Sequence, residues 1–212
     1  VIENTPLFKK YVQHVLKWEG RTSSDQDDTA AACAPYNGAV HTNKGVTYCT
    51  FRTYAASLGI QPVTHARFLS LTNEDVSKFI ALFVRNARAS EMPTPIALSV
   101  TEAAWLSGPK RAVMHLQEAL NKLGARLTVD GVAGPQTIAA TLKANLQDLY
   151  EQYWIERQAY LDYLIALPPP AIYWKYKKGW YNRINDFLRN FSPGSSGLWL
   201  LLILFGLVVI SR

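Results

Sequence analysis

With 212 residues, 49% of them apolar and 18% charged, the chain is long enough to bury one core with a small appended subdomain, and its composition excludes a disordered polymer. A formal charge of +6 and a pI near 9.3 point to an anionic partner. Lys and Arg are spread along the chain and are densest only from Lys175 to Lys178, with no zinc-finger spacing and no ribonucleoprotein aromatic motif, which argues against nucleic acid.

No charged stretch leading into an apolar run follows Val1, so no signal peptide is read there. Thr5-Pro6 opens the first helix, with Thr as N-cap and Pro at the first helical position. At 100° per residue, Leu7, Phe8, Tyr11, Val12, Val15, Leu16 and Trp18 fall in one half of that helix. Glu19 falls in the same half, and Gly20 follows as a helix stop. From Arg21 to His41 the small and polar residues, including Asp25, Asp27, Asp28 and Asn37-Gly38, read as an extended loop. Cys33 and Cys49 flank its second half. A bridge between them would close a loop of about fifteen residues and contribute roughly 3 kcal/mol, while two unbridged thiols fit the same count.

Thr72-Asn73-Glu74-Asp75 has the form of a capping box with Asp in the Glu place, and Val76, Phe79, Ile80, Phe83 and Val84 follow at helical spacing. Further helices are predicted over Pro95–Leu106, Pro109–Leu123, Pro135–Lys143, Leu146–Leu167 and Ile172–Phe191. Only Gly45–Cys49 and Arg126–Asp130 read as short strands. Pro168-Pro169-Pro170 separates the last two helices, since each proline removes a backbone donor. No internal repeat is visible. Ser192-Pro193-Gly194-Ser195-Ser196-Gly197 reads as a hinge, and Leu198 to Ile210 is almost uniformly apolar. A helix from Pro193 to Arg212 would be about 30 Å long, near the hydrocarbon thickness of a bilayer. It shows no polar face, which favours a membrane anchor over a buried core helix.

Glycoside hydrolysis needs a carboxylic acid that keeps its proton until it meets the leaving oxygen. Apolar surroundings and the negative end of a helix dipole both disfavour the charged form, and Glu19 has both by position. These residues alone leave a solvated helix-end Glu open. The segment Val15-Leu16-Lys17-Trp18-Glu19-Gly20 resembles the end of the first helix of the glycoside hydrolase family 108 muramidases, a lysozyme-like group also labelled secretion-activator proteins. Asp25 and Asp28 fall where that family's loop carries aspartates, and Thr42-Asn43-Lys44-Gly45-Val46-Thr47 resembles its Thr-Asn-x-Gly-Ile-Thr stretch. Glu102 with Trp105, Ser107 and Gly108 resembles a family helix, and Gly179-Trp180-Tyr181-Asn182-Arg183 its closing motif. The resemblance covers roughly residues 8 to 190. Three departures stand out: Arg21 replaces a second Gly, the loop Ala30–His41 is longer and holds Cys33, and Glu102 replaces an Asp.

The resemblance implies Glu19 as the catalytic acid. Asp28, at the nine-residue interval that phage-type lysozymes use, and Asp25 are the candidates for a second carboxylate; as turn residues both would instead bond their own backbone. Asp25-Gln26-Asp27-Asp28 lacks the EF-hand pattern, so no metal is expected, and no cofactor is implied. Thr42, Asn43, Thr47 and Glu102 are the expected substrate-binding residues, although the first three would equally cap the turn at Lys44-Gly45. Leu116-Gln117-Glu118-Ala119-Leu120 and Val129-Asp130-Gly131-Val132-Ala133-Gly134-Pro135-Gln136-Thr137 resemble a peptidoglycan-binding repeat, with a structural helix-turn-helix as the alternative. Tyr173, Trp174, Tyr176, Trp180 and Tyr181 interleave with Lys175, Lys177, Lys178 and Arg183; aromatics at this helical spacing read as core and stay outside the site. His14, His41, His65 and His115 share no ligand spacing, which gives neither a zinc site nor a His-activated nucleophile.

The expected fold is mostly α: a lysozyme-like helical domain with a short β element and a C-terminal apolar helix. Residues 1–125 form the expected catalytic region, residues 126–191 a peptidoglycan-binding-like helical region packed on it, 192–197 the hinge and 198–212 the anchor. The expected activity is cleavage of the β-1,4 bond between N-acetylmuramic acid and N-acetylglucosamine, from a domain held by the membrane in the periplasm or cell exterior. The alternatives are a lytic transglycosylase acting on the same bond and a non-catalytic, membrane-tethered peptidoglycan-binding or secretion module. Peptidoglycan and the membrane are thus the expected partners, and the oligomeric state is not legible.

Overall fold

A computed structural model of the chain describes residues 2–19, 22–168 and 173–193. By its internal contacts the chain divides into two compact units, one of Lys9–Leu82 and the other of the first eight residues together with the chain from Phe83 onward. The helices α1 (Pro6–Trp18) and α4 (Asn73–Asn86) run through the two boundaries. The expected hinge from Gly194 and the apolar tail lie outside the described residues. Among the described residues no helix is long and apolar enough to cross a membrane.

The unit of residues 9–82 carries α1 from Lys9 onward, three two-residue strands and two short helices. Strands β1 (Thr22–Ser23), β2 (Thr42–Asn43) and β3 (Val46–Thr47) form an antiparallel sheet in that order, with Thr22 opposite Asn43 and Thr42 opposite Thr47. The β2–β3 turn is made by Lys44 and Gly45 at φ of 50° and 79°, the left-handed pair that a two-residue hairpin requires. Helices α2 (Tyr48–Tyr54) and α3 (His65–Leu69) follow. At seven and five residues they are too short to declare a helical period, and the first two residues of α2 end the segment Gly45–Cys49 that reads as a strand. They bury Tyr48, Phe51 and Phe68, whose rings lie 5.1 to 6.1 Å apart. The first residues of α4 hold the predicted capping box. The Thr72 hydroxyl oxygen accepts from the Asp75 backbone N–H at 3.1 Å, and the Asp75 carboxylate accepts from the Thr72 backbone N–H at 2.9 Å. Arg67 also donates to that carboxylate at 2.7 Å. Burial alone would raise the Asp75 pKa, but these hydrogen bonds and the Arg67 charge outweigh it and hold the group below its ordinary value.

Residues 21–41 are more than a loop. Beyond β1 they hold a 3-10 helix, Thr29–Cys33, which a disulfide from Cys33 to Cys49 ties to the first turn of α2. With the two cysteines 16 positions apart in sequence, the bridge limits the unfolded chain by about 3 kcal/mol. A Cys33→Ser/Cys49→Ser variant is therefore expected to lose about that much stability. Its urea midpoint is the check, and a midpoint equal to that of the parent would show that the bridge contributes nothing.

The other unit is built on α5 (Thr94–Ser107), whose residues from Ile96 to Trp105 are all buried, so the helix is enclosed on every side. It packs against α6 (Pro109–Lys122) and α8 (Leu146–Ala166), and α9 (Lys177–Phe191) completes the core. Trp154 of α8 donates its indole N–H to the Ser99 hydroxyl at 3.1 Å and lies 5.2 Å from the Phe187 ring of α9. The helix predicted from Ile172 is divided: Tyr173–Tyr176 is a 3-10 turn before α9 begins.

The strand expected over Arg126–Asp130 does not form. Its hydrogen bonds go to a side chain instead: Asn121 accepts from the Leu127 N–H at 2.8 Å and donates to the Leu127 carbonyl at 2.9 Å, as a neighbouring strand would. The Asp130-Gly131 turn then returns the chain to α7 (Pro135–Lys143). Buried Gln117 holds this turn, donating to the Asp130 carboxylate at 2.8 Å and accepting from the Gly131 N–H at 2.9 Å. Gly131 has φ of 75°, and a Cβ there would meet Lys110 at 2.5 Å, so no other residue fits.

His115 of α6 is 1% exposed beside Arg111 and Arg157, and its pKa falls to about 3, chiefly through burial and then through these two charges. Glu118 stands 3.3 Å from its Nδ1, close enough to favour a proton. Burial and the two guanidinium groups win, so the folded chain holds a neutral imidazole that donates to Glu118. Below the ordinary value of 6.5 the unfolded chain takes up a proton that the folded chain refuses. Stability contributed above pH 6.5 is therefore lost as pH falls toward 3, by at most about 1.4 kcal/mol per pH unit. His115→Gln is expected to flatten the fall between pH 6 and 5 in urea titrations; an equally steep fall in parent and variant would refute this.

Candidate active site

Glu19 follows the last residue of α1 and stays in helical register, its backbone N–H donating to the Val15 carbonyl at 3.0 Å. It is half-buried. Tyr11, Val12 and Val15, on the same helix, are buried, as the apolar periodicity requires. Three residues beyond Glu19 the chain enters β1, so the acid stands where the helix hands over to the sheet.

Asp25 and Asp28 lie in the loop that leaves β1. Asp25 is exposed, and its carboxylate accepts from the Asp27 backbone N–H at 3.0 Å; Asp28 is half-buried and accepts from the Ala30 N–H at 2.9 Å, capping the 3-10 helix. Both carboxylates therefore bond their own backbone two residues on, the turn habit of aspartate. The loop is further held by His41, a buried residue that the spacing of histidines does not mark. Its Nε2 donates to the Asp25 carbonyl at 3.0 Å and its Nδ1 lies 3.1 Å from the Thr42 hydroxyl. His65 does the same for the longer loop, donating to the Val40 carbonyl at 2.8 Å. These two histidines are tethers that fix where the loop carboxylates stand.

The sheet brings Thr42, Asn43 and Thr47 together, though with different tasks. Thr42 and Thr47 face each other across β2 and β3 and are half-buried. Thr47 caps α2, its hydroxyl accepting from the Thr50 N–H at 3.2 Å. Asn43 is 4% exposed and donates to the carbonyls of Phe68 and Leu69 at 2.8 and 3.1 Å, which satisfies the end of α3. Glu102 departs furthest from the expectation of a substrate contact. It belongs to the other unit, is 0% exposed, and its two oxygens accept from Arg183 Nε at 2.6 Å and Nη2 at 3.0 Å. A carboxylate so enclosed does not face a sugar. Among the described residues no group of three or more His, Cys, Asp or Glu side chains is placed to hold a metal ion.

Residues 12–108 match the family model described as Glycosyl hydrolase 108, and residues 111–185 match one described as Predicted Peptidoglycan domain. The first stretch is thus a glycoside hydrolase family 108 region, and a peptidoglycan-binding one follows it. Together the two matches support a glycoside hydrolase that acts on peptidoglycan. Among solved structures the chain is similar to SagA of Brucella abortus, with 23% identity over 92% of this chain and 94% of that one and a TM-score of 0.64. That likeness shows the mostly helical fold. No curated protein matches the chain. The family match begins within α1 and takes in Glu19, the aspartate loop and the sheet, while the peptidoglycan match takes in the Gln117 turn and most of α9.

Proposed function

We propose that the chain is an N-acetylmuramidase that hydrolyses the β-1,4 bond between N-acetylmuramic acid and N-acetylglucosamine. Glu19 protonates the leaving glycosidic oxygen. Asp28, held half-buried by its cap, assists from the loop as base or as stabiliser of the positive charge on the sugar ring, with Asp25 as the alternative carboxylate. Thr42 and Thr47 present hydroxyls that both donate and accept to the sugar, and Asn43 positions the hairpin that carries them. The reading rests above all on the place of Glu19, a half-buried carboxyl at the junction of α1 and the sheet inside the glycosyl hydrolase match. In the same proposal residues 1–125 act as the catalytic region, residues 126–191 as its peptidoglycan-binding companion, and the apolar 198–212 segment tethers both to a membrane facing the wall.

Mass spectrometry of soluble fragments released from purified peptidoglycan tests this directly. Reducing muramic acid ends support the muramidase. Ends in the 1,6-anhydro form would replace it with a lytic transglycosylase, in which the muramic 6-hydroxyl attacks in place of water. Wall that is bound but left intact would make the chain a non-catalytic binding module.

A further inference from the structure

A cleft of about 560 Å³ opens beside the first turns of α9 and is lined by Trp174, Lys175, Lys177, Lys178, Tyr181, Asn182 and Asn185. Its aromatics differ from their neighbours. Tyr173 and Tyr176 pack on Trp180, at 6.1 and 5.9 Å between ring centres, and the three form a stack of their own. Trp174 does not join it and is 61% exposed. An indole left this bare offers a flat face suited to the apolar face of a sugar ring. Three lysines line the cleft and no carboxylate does, so its charge complements an anion. Lys177 lies 5.7 Å from the centre of the Tyr181 ring, which places a cation beside the aromatic floor. The Tyr181 hydroxyl donates to Asp162, and burial followed by that carboxylate pushes its pKa up to about 12, so the phenol stays neutral at any working pH. Asn182, exposed in the same lining, supplies an amide that both donates and accepts, as an N-acetyl group requires, and the buried Asn185 Oδ1 has no hydrogen-bond partner among the described residues.

From these groups we infer that this cleft, built from residues other than the catalytic ones, is a binding site for an acidic, N-acetylated glycan strand and retains the chain on its polymer. The inference rests on the peptidoglycan reading above and assigns to it a particular surface. An anionic membrane surface shares the charge but not the geometry. The cleft lies along the first nine of the fifteen residues of α9, Lys177 to Asn185, and Lys177 stands about 22 Å along the helix from Ser192.

The test is co-sedimentation of the chain with purified peptidoglycan and, in parallel, with phosphatidylglycerol vesicles, comparing the parent with Trp174→Ala and with Lys177→Glu/Lys178→Glu. These side chains are exposed, so the core is untouched. Peptidoglycan affinity is expected to fall about tenfold in the first variant and further in the second, with cleavage of a short soluble muramyl oligosaccharide unchanged. Equal peptidoglycan binding by all three proteins would overturn the inference while leaving the muramidase intact. Loss of vesicle binding alone would overturn it in favour of a lipid surface. Binding that depends on Trp174 in a chain that cuts nothing would uphold the inference and end the muramidase reading.

Discussion

Replacing Glu19 by Gln is expected to lower peptidoglycan cleavage by about two to four orders of magnitude, the usual worth of a positioned general acid. Gln keeps the size and the hydrogen-bonding edge of Glu but carries no proton to give. The residue is half-buried and its helical hydrogen bond to Val15 runs through the backbone, so the helical circular dichroism of the variant should match the parent. The loop carboxylates give the companion measurement. If Asp28 assists, Asp28→Asn reduces turnover while Asp25→Asn leaves it nearly unchanged, because an Asn at either place can still accept the backbone N–H of its turn. Full activity in Glu19→Gln would remove Glu19 from the mechanism. Full activity in both aspartate variants would point to catalysis by the Glu alone, as in a transglycosylase.

The largest effect on stability is expected at Arg183. Its guanidinium meets both oxygens of Glu102 deep in the core, at 3% and 0% exposure. Arg183→Met keeps much of the apolar stem but leaves a buried carboxylate without its guanidinium, a loss of about 3–5 kcal/mol. Removing both charges is gentler: Glu102→Leu/Arg183→Met should be closer to the parent than the single variant, since a buried pair is expensive mainly when halved. Urea denaturation of the three proteins measures both statements. A single variant within about 1 kcal/mol of the parent would show that water or neighbouring groups take over from the guanidinium.

Much of the helical framework could be read from the sequence because its punctuation is local. Pro135 after Gly134 gives the start of α7, Thr72 and Asp75 cap α4, and Pro109 after Gly108 separates α5 from α6. What escaped the reading depends on partners far along the chain. The sheet has only two-residue strands: β3 falls within Gly45–Cys49, a segment that reads as a strand, but β2 is too short for alternation to show and β1 lies in what reads as loop. The apparent strand at Arg126–Asp130 has strand composition, but Asn121 supplies its hydrogen bonds. In the candidate site, Glu19 was legible from the helical period and the family resemblance together. The roles of Asn43 and Glu102 were not, because a motif reports which residues recur and not which way they face. The aromatics from Tyr173 to Tyr181 read as core for the same reason, yet none of the five is fully buried, and only the fold shows that Trp180 is stacked while Trp174 is bare.

The ion pair of Glu102 and Arg183 also bears on how this chain can be cut or recombined. One partner lies in the glycosyl hydrolase match, 12–108, and the other in the peptidoglycan match, 111–185, so the two stretches that look like separable cassettes share one buried electrostatic contact. A fragment ending near residue 108 would carry Glu19 and its loop intact and still lack the counter-charge that Glu102 needs. A chimera that joins the first stretch to a foreign second one inherits the same debt unless an arginine arrives at the matching place. In this chain the seam between the two family matches is therefore a boundary of ancestry and not of folding.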